Sequence, residues 1–266
     1  MSQKAYVLSG PLLPIWTSAV VFFLLAPLVV VTLVSFSPFD YLSLPTTDFS
    51  LKWYRRLAEH PEFMSGALHS ILLATEAACT AVVLGTLTAL AIVRYRFPFR
   101  EMVRGIATAP LIVPMVMTGL AILMMFSSLN WFDQHFRLYA GHAILTLPYV
   151  VRTVSASLTG FDMNQELAAR NLGASPFAAF MRITLPQITS GVFAGGVFAF
   201  IVSFDNVGLS IFLVGAQFNI LPVELFSYAS YSNDPMAAAV SVLMILFSVV
   251  AIALLEYCFG LRRLMA

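Results

Sequence analysis

The sequence predicts an all-α polytopic membrane protein with six transmembrane helices, and three observations carry that prediction. Of 266 residues, 60% are hydrophobic and only 10% are charged, too little charge to clothe a soluble domain. The apolar residues come in unbroken runs of the length that a helix needs to cross a bilayer, about 20 residues. Barrel strands would instead alternate over roughly ten residues. Finally, the arginines crowd into alternate joining segments, which is the signature of a multi-pass chain with a fixed orientation.

In order, the spans are expected at about 12–36, 66–93, 105–128, 137–159, 187–211 and 235–260, one transmembrane domain filling 1–266. The first run follows Lys4 but is too long for the apolar core of a signal peptide and ends in no small-residue cleavage site, so it reads as an uncleaved span. Between spans one and two, LKWYRRLAEHPEF reads as a short amphipathic helix at the membrane surface. Trp53 and Tyr54 suit the interface as a brace or as a contact to an external partner, and Arg55, Arg56 and Glu59 suit water. Arg94, Arg96, Arg100 and Arg104 crowd the link from span two to span three. The segment GAQFNILPVELFSYASYSNDP before span six is too polar to span and reads as folded back at a cavity mouth.

Between spans four and five lies a polar hairpin, 161–186. Glu166, Ala168, Ala169 and Arg170 favour helix, and Gly173 stands where a left-handed residue closes one. Ala174 follows, then Ser175 as N-cap and Pro176 at the first position of a second helix running to about Thr184. Arg152, Arg170 and Arg182 lie in or beside it, and Arg262 and Arg263 near the end of the sequence. The opposite loops hold only Lys52, Arg55 and Arg56, with Arg137 at a span edge. The positive-inside rule then puts the hairpin and both termini in the cytoplasm.

Polar side chains inside spans are costly and mark candidate paths or partners. Asp205, with Ser203 and Asn206 beside it, heads these. Glu76 reads either as a path carboxylate or as a pair to another subunit. Glu256 reads as snorkelling at the end of span six, and Glu224 as a rim residue. Cys79 and Cys258 read as buried small hydrophobes, and the four histidines as scattered interfacial or packed residues. No glycine-rich phosphate loop, zinc motif or nucleophile elbow is present, and a net charge of +1 gives no nucleic-acid footprint. A chain without a catalytic constellation is expected to be a non-enzymatic membrane subunit. The rival reading is a secondary transporter or channel not driven by ATP, for which inverted repeats would be the sign.

The hairpin carries a resemblance. Ala168, Ala169 and Gly173, then nine residues, then Ile183, Leu185 and Pro186, resemble the cytoplasmic-loop motif of ABC-importer permeases, E-A-A-x-x-x-G…I-x-L-P. One departure stands out: the motif's glutamate position holds Leu167, and Glu166 lies one residue earlier, turned about 100° around a helix. SILLATEAACTAVVLGTLTALAIVRYRF, LPYVVRTVSASLTGFD and ITLPQITSGVFAGGVFAFIVSFDN are similar to the spermidine/putrescine-type permeases. The resemblance implies a type I ABC importer permease in a bacterial inner membrane. Its implied partners are a second permease, two cytoplasmic ATPase subunits holding ATP and magnesium, and an external binding protein. No cofactor is implied in this chain. It also implies that 161–186 is a coupling element. Polyamine carriers of this group tend to place an acidic residue after the third-span proline and a second one in the fifth-span motif. Here those positions hold Met115–Val116 and Asn206.

Overall fold

A computed structural model describes residues 12–45, 48–129, 133–215 and 218–259. Lys4, Arg262 and Arg263 lie outside the described residues, as do Ala216 and Gln217 of the loop before Leu221 and the side chain of Cys258. Among the described residues the regular elements are all helices or helical turns, with one isolated β-type pairing, Gly215 with Phe218. The helices are α1 (Leu12–Ser35), α2 (Lys52–Arg56), α3 (Pro61–Arg94), α4 (Arg100–Thr108), α5 (Met115–Leu129), α6 (Gln134–Thr159), α7 (Met163–Asn171), α8 (Pro176–Ala179), α9 (Leu185–Phe204), α10 (Leu221–Tyr231) and α11 (Met236–Phe259). Among the described residues, four stretches are long and apolar enough to cross a membrane alone, and six if each of two bent pairs counts as one span.

Contacts divide the chain into two units, Met1–His60 with Tyr228–Leu246, and Pro61–Ser227 with Phe247–Ala266. In the first unit, α1 exposes apolar side chains all round, Phe22 and Phe23 among them, as a lipid-facing helix does. The loop after α1 folds on Trp53, which is 1% exposed and donates its indole N–H to the Ser37 carbonyl at 2.9 Å. The Tyr54 and Ser35 hydroxyls meet at 2.8 Å.

The second unit is a bundle of α3, α6 and α9. Small residues let these helices meet closely. A Cβ on Gly191 would lie 2.8 Å from the Thr153 carbonyl oxygen, and one on Gly195 would lie 2.9 Å from Val150 Cα. The short side chains of Ser157 and Thr153 stand in the way as well, so α9 packs on α6 with only backbone and small hydroxyl side chains between them, as small-x-x-x-small stripes allow. Gly191→Leu is expected to force the two helices apart. The measurement is the yield of monodisperse protein extracted in mild detergent, which should fall at least about tenfold.

Two expected elements differ. The third span is not one helix: α4 and α5 meet at a 106° bend. Pro114 cannot donate a backbone hydrogen bond and pushes Val113 out of helical geometry, and Pro110 adds a tight turn at Ala109–Leu111. The second hairpin helix is not separate from the fifth span either. Pro176 to Phe204 runs on as α8, a wide π-type turn at Phe180–Thr184, and α9. That wide turn absorbs the donor missing at Pro186. The span then ends at Phe204 rather than near 211, and Ser210–Phe212 forms a separate tight turn.

Candidate functional site

The hairpin is built locally as its residues dictate. Asp162 caps α7, its carboxylate accepting from the Asn164 N–H at 3.0 Å. Gly173 adopts φ +94°, a conformation that other residues take only with strain. The Ser175 hydroxyl oxygen accepts from the Ala178 N–H at 3.2 Å, and Pro176 opens α8. The tip is apolar and bare: Leu172 is 90% exposed and Phe177 74%. Leu167, at the motif's glutamate position, is exposed beside them. Ala168, Arg170 and Ser175 are also exposed, and Ala169 and Ala174 half-buried.

Glu166 differs from the rest of that group. It is buried, so its carboxylate is turned away from the surface of this chain. One oxygen pairs with an Arg94 guanidinium nitrogen at 2.9 Å and also accepts from the Thr184 hydroxyl. Arg94 reaches Thr184 Oγ1 at 2.9 Å and has the Phe161 and Phe180 rings each 5.7 Å away. The one-residue offset in sequence therefore turns this carboxylate inward, where it ties the hairpin to the ends of α3 and α9.

The expected path residues separate as well. Ser203 and Asn206 are buried and hydrogen-bonded within the chain. His142, fully buried, meets the Ser203 hydroxyl at 2.7 Å through Nδ1 and the Ser210 hydroxyl at 2.9 Å through Nε2. The Asn206 side-chain oxygen accepts from the Leu209 N–H at 3.0 Å, and its nitrogen donates to Met115 Sδ at 3.4 Å. Met115 and Asn206 thus touch each other here, and both are neutral. Asp205 alone of the three is exposed, at the C-terminal end of α9.

Glu76 finds its partner within the chain: His135 Nε2 lies 3.1 Å from its carboxylate. Glu224 accepts from the Asn219 side-chain nitrogen. The Asn219 carbonyl meets His69 at 2.9 Å, and the His69 and His135 rings both pack on Phe218. These contacts join Glu76 and Glu224 into one polar rim that sequence separation hides. Trp53, expected at an external interface, is instead the buried centre of its loop, with Lys52 and Arg56 each 5.1 Å from its ring. Tyr54 is half-buried against Phe36 and Ser35. Beside them a hydrogen bond from Lys52, helped by the charges of Lys52 and Arg56, holds the Asp40 carboxyl below the usual carboxylate range. Cys79, expected to be buried, is exposed on α3. Among the described residues, no three or more His, Cys, Asp or Glu side chains gather to hold a metal.

Comparison with known proteins agrees with this architecture. The profile of the family described as "Binding-protein-dependent transport system inner membrane component" matches residues 81–259. The chain is 32% identical over 232 residues to the spermidine/putrescine transport system permease protein PotC of Haemophilus influenzae, covering 87% of this chain and 90% of that one. It is 31% identical over 230 residues to the putrescine transport system permease protein PotI of Escherichia coli K12, covering 84% and 82%. Among solved structures, a bacterial ABC transporter that imports alginate aligns with TM-score 0.69 at 16% identity, over 92% of this chain and 94% of that one. The inward-facing MetNI methionine ABC transporter aligns with TM-score 0.60 at 15% identity, over 76% and 95%.

Proposed function

This chain belongs to the family of binding-protein-dependent transport system inner membrane components, and on that premise we propose that it is the transmembrane subunit of an ATP-driven importer whose hairpin seats in a partner ATPase. The observation that carries the reading is the bare apolar tip. A loop that leaves the bundle, is fixed by Gly173 and Ser175, and presents Leu172 and Phe177 to solvent is built to be covered. ATP and magnesium then act in two cytoplasmic ATPase subunits. A second permease completes the pathway, and an external binding protein delivers the solute. The arginine distribution supports an orientation with both termini and the hairpin in the cytoplasm.

Closure of the ATPase pair carries the hairpin with it. Because Glu166 and Arg94 tie the hairpin to α3, and α8 runs on into α9, that displacement passes directly into two spans of the bundle, as rigid-body rocking requires. The solute is a small organic molecule, polyamine-like or a related amine or amino-acid derivative. Neutral Met115 and Asn206, in contact, favour the less cationic end of that range.

The test is uptake in vesicles holding the assembled complex. Gly173→Val meets no steric obstacle, since nothing lies within 4 Å of an added Cβ. It does force a β-branched residue into the left-handed region, at about 1–3 kcal/mol of strain. Uptake is expected to fall to a few per cent while ATP hydrolysis and membrane insertion persist. Undiminished uptake would sink the coupling assignment, and uptake without ATP would replace it with the channel reading.

A further inference from the structure

A cleft of 560 Å³ opens where α3 ends, α4 begins its bend and α6 approaches the hairpin. Its lining is amphiphilic: Ile92, Leu111 and Val151 make an apolar floor, and Arg104, Arg152 and Ser155 stand over it. Arg152 is the anomaly. It is exposed on α6 and has no ion pair, hydrogen bond or ring partner among the described residues. It also lies seven residues before Thr159, the end of α6, which is about 10 Å of helix inward from the turn. An unpartnered guanidinium near the boundary of a membrane helix is suited to an anion. Arg104 meets Glu101 at 3.3 Å, a pair half open to solvent on one side and mostly open on the other, which screening makes weak. The Thr108 and Thr159 hydroxyls, also in the lining, donate to helix carbonyls at 2.9 and 2.8 Å, so they do not compete for an anion. Ser155 makes no side-chain hydrogen bond to another described residue.

We propose that this cleft seats the phosphate of an anionic phospholipid between Arg152 and Arg104, with the first acyl carbons on the apolar floor. A free small anion would use the arginines and leave the floor wet, whereas a phospholipid satisfies both halves of the lining. Basic pockets between transmembrane helices are suited to such headgroups. The inference goes beyond the transport reading and needs only that α6 crosses a bilayer.

The experiment is native mass spectrometry of the detergent-purified complex titrated with phosphatidylglycerol, phosphatidylcholine and inorganic phosphate. Phosphatidylglycerol should be retained over phosphatidylcholine. Arg152→Gln and Arg104→Gln should each weaken it about fivefold, and a large excess of inorganic phosphate should not displace it. Arg104 lies on an open face, so its variant remains readable if Arg152→Gln fails to assemble. Equal retention of the two lipids, unchanged affinity in the variants, or displacement by phosphate each overturns the proposal, the last by showing a small-anion site. A complex that binds phosphatidylglycerol as expected but shows no ATP-driven uptake overturns the transport reading and leaves this one intact.

Discussion

Leu172→Asp and Phe177→Asp are each expected to abolish ATP-driven uptake and to strip the ATPase subunits from the purified complex, while leaving the chain folded in the membrane. Both side chains are largely bare, at 90% and 74% exposure, so replacing them removes little packing from the chain itself. Surface changes of that kind usually alter stability by about 0.5 kcal/mol or less. Docking is different. Covering an exposed leucine or phenylalanine is worth about 1.5–3 kcal/mol, and that contribution disappears in the variant. A carboxylate driven into an apolar groove adds a desolvation penalty of at least similar size. Together these weaken the assembly by more than about a hundredfold. Co-purification of the ATPase and vesicle uptake measure the loss, and the melting curve of the isolated chain in detergent should not move. Leu172→Met, which keeps an apolar tip, should retain most of the activity. Normal uptake by both aspartate variants would mean that the tip faces solvent in the working complex.

What could be read from the residues was whatever neighbours in sequence decide. The corner at Gly173–Ser175–Pro176 is a case: a left-handed glycine, a hydroxyl cap and a first-turn proline each act within one turn, and φ +94° with the Ser175 cap is the result. The apolar runs likewise marked the helices, because spanning is a matter of length and composition. What could not be read was the direction a side chain faces once distant segments meet. Glu166 turns inward because Arg94, 72 positions earlier (166 − 94), is there to receive it. Asn206 is consumed by capping the turn at Leu209, and the preference of tryptophan for an interface does not say whether Trp53 points outward. The histidines looked scattered because their partners, Ser203 and Ser210 for His142 and Glu76 for His135, come from other elements. The break in the third span had a visible sign in Pro110 and Pro114. Counting apolar residues passes over it, since hydropathy does not register a missing backbone donor.

The Arg94–Glu166 pair gives the other large effect, and its sign distinguishes a tether from an ordinary contact. Their side chains are 11% and 9% exposed, so each charge has left water and depends on the other. Arg94→Met leaves a buried carboxylate with only the Thr184 hydroxyl. Glu166→Leu leaves a buried guanidinium between two rings, with its Nε already lacking a hydrogen-bond partner. Removing one member of a buried pair costs about 3–5 kcal/mol, whereas replacing both with apolar groups of similar volume is often neutral. The double variant Arg94→Met/Glu166→Leu should therefore unfold in denaturant close to the wild type, with both single variants well below it, a strongly non-additive cycle. Uptake should not follow stability in that recovery. Van der Waals contact between Met and Leu restores burial but not the directional link between α3, the hairpin and Thr184, so the double variant should hydrolyse ATP with reduced transport per ATP. If transport per ATP returns together with stability, the pair holds the hairpin only as any packed contact would. If stability returns and coupling does not, the inward-turned carboxylate is what makes the hairpin and α3 move as one body.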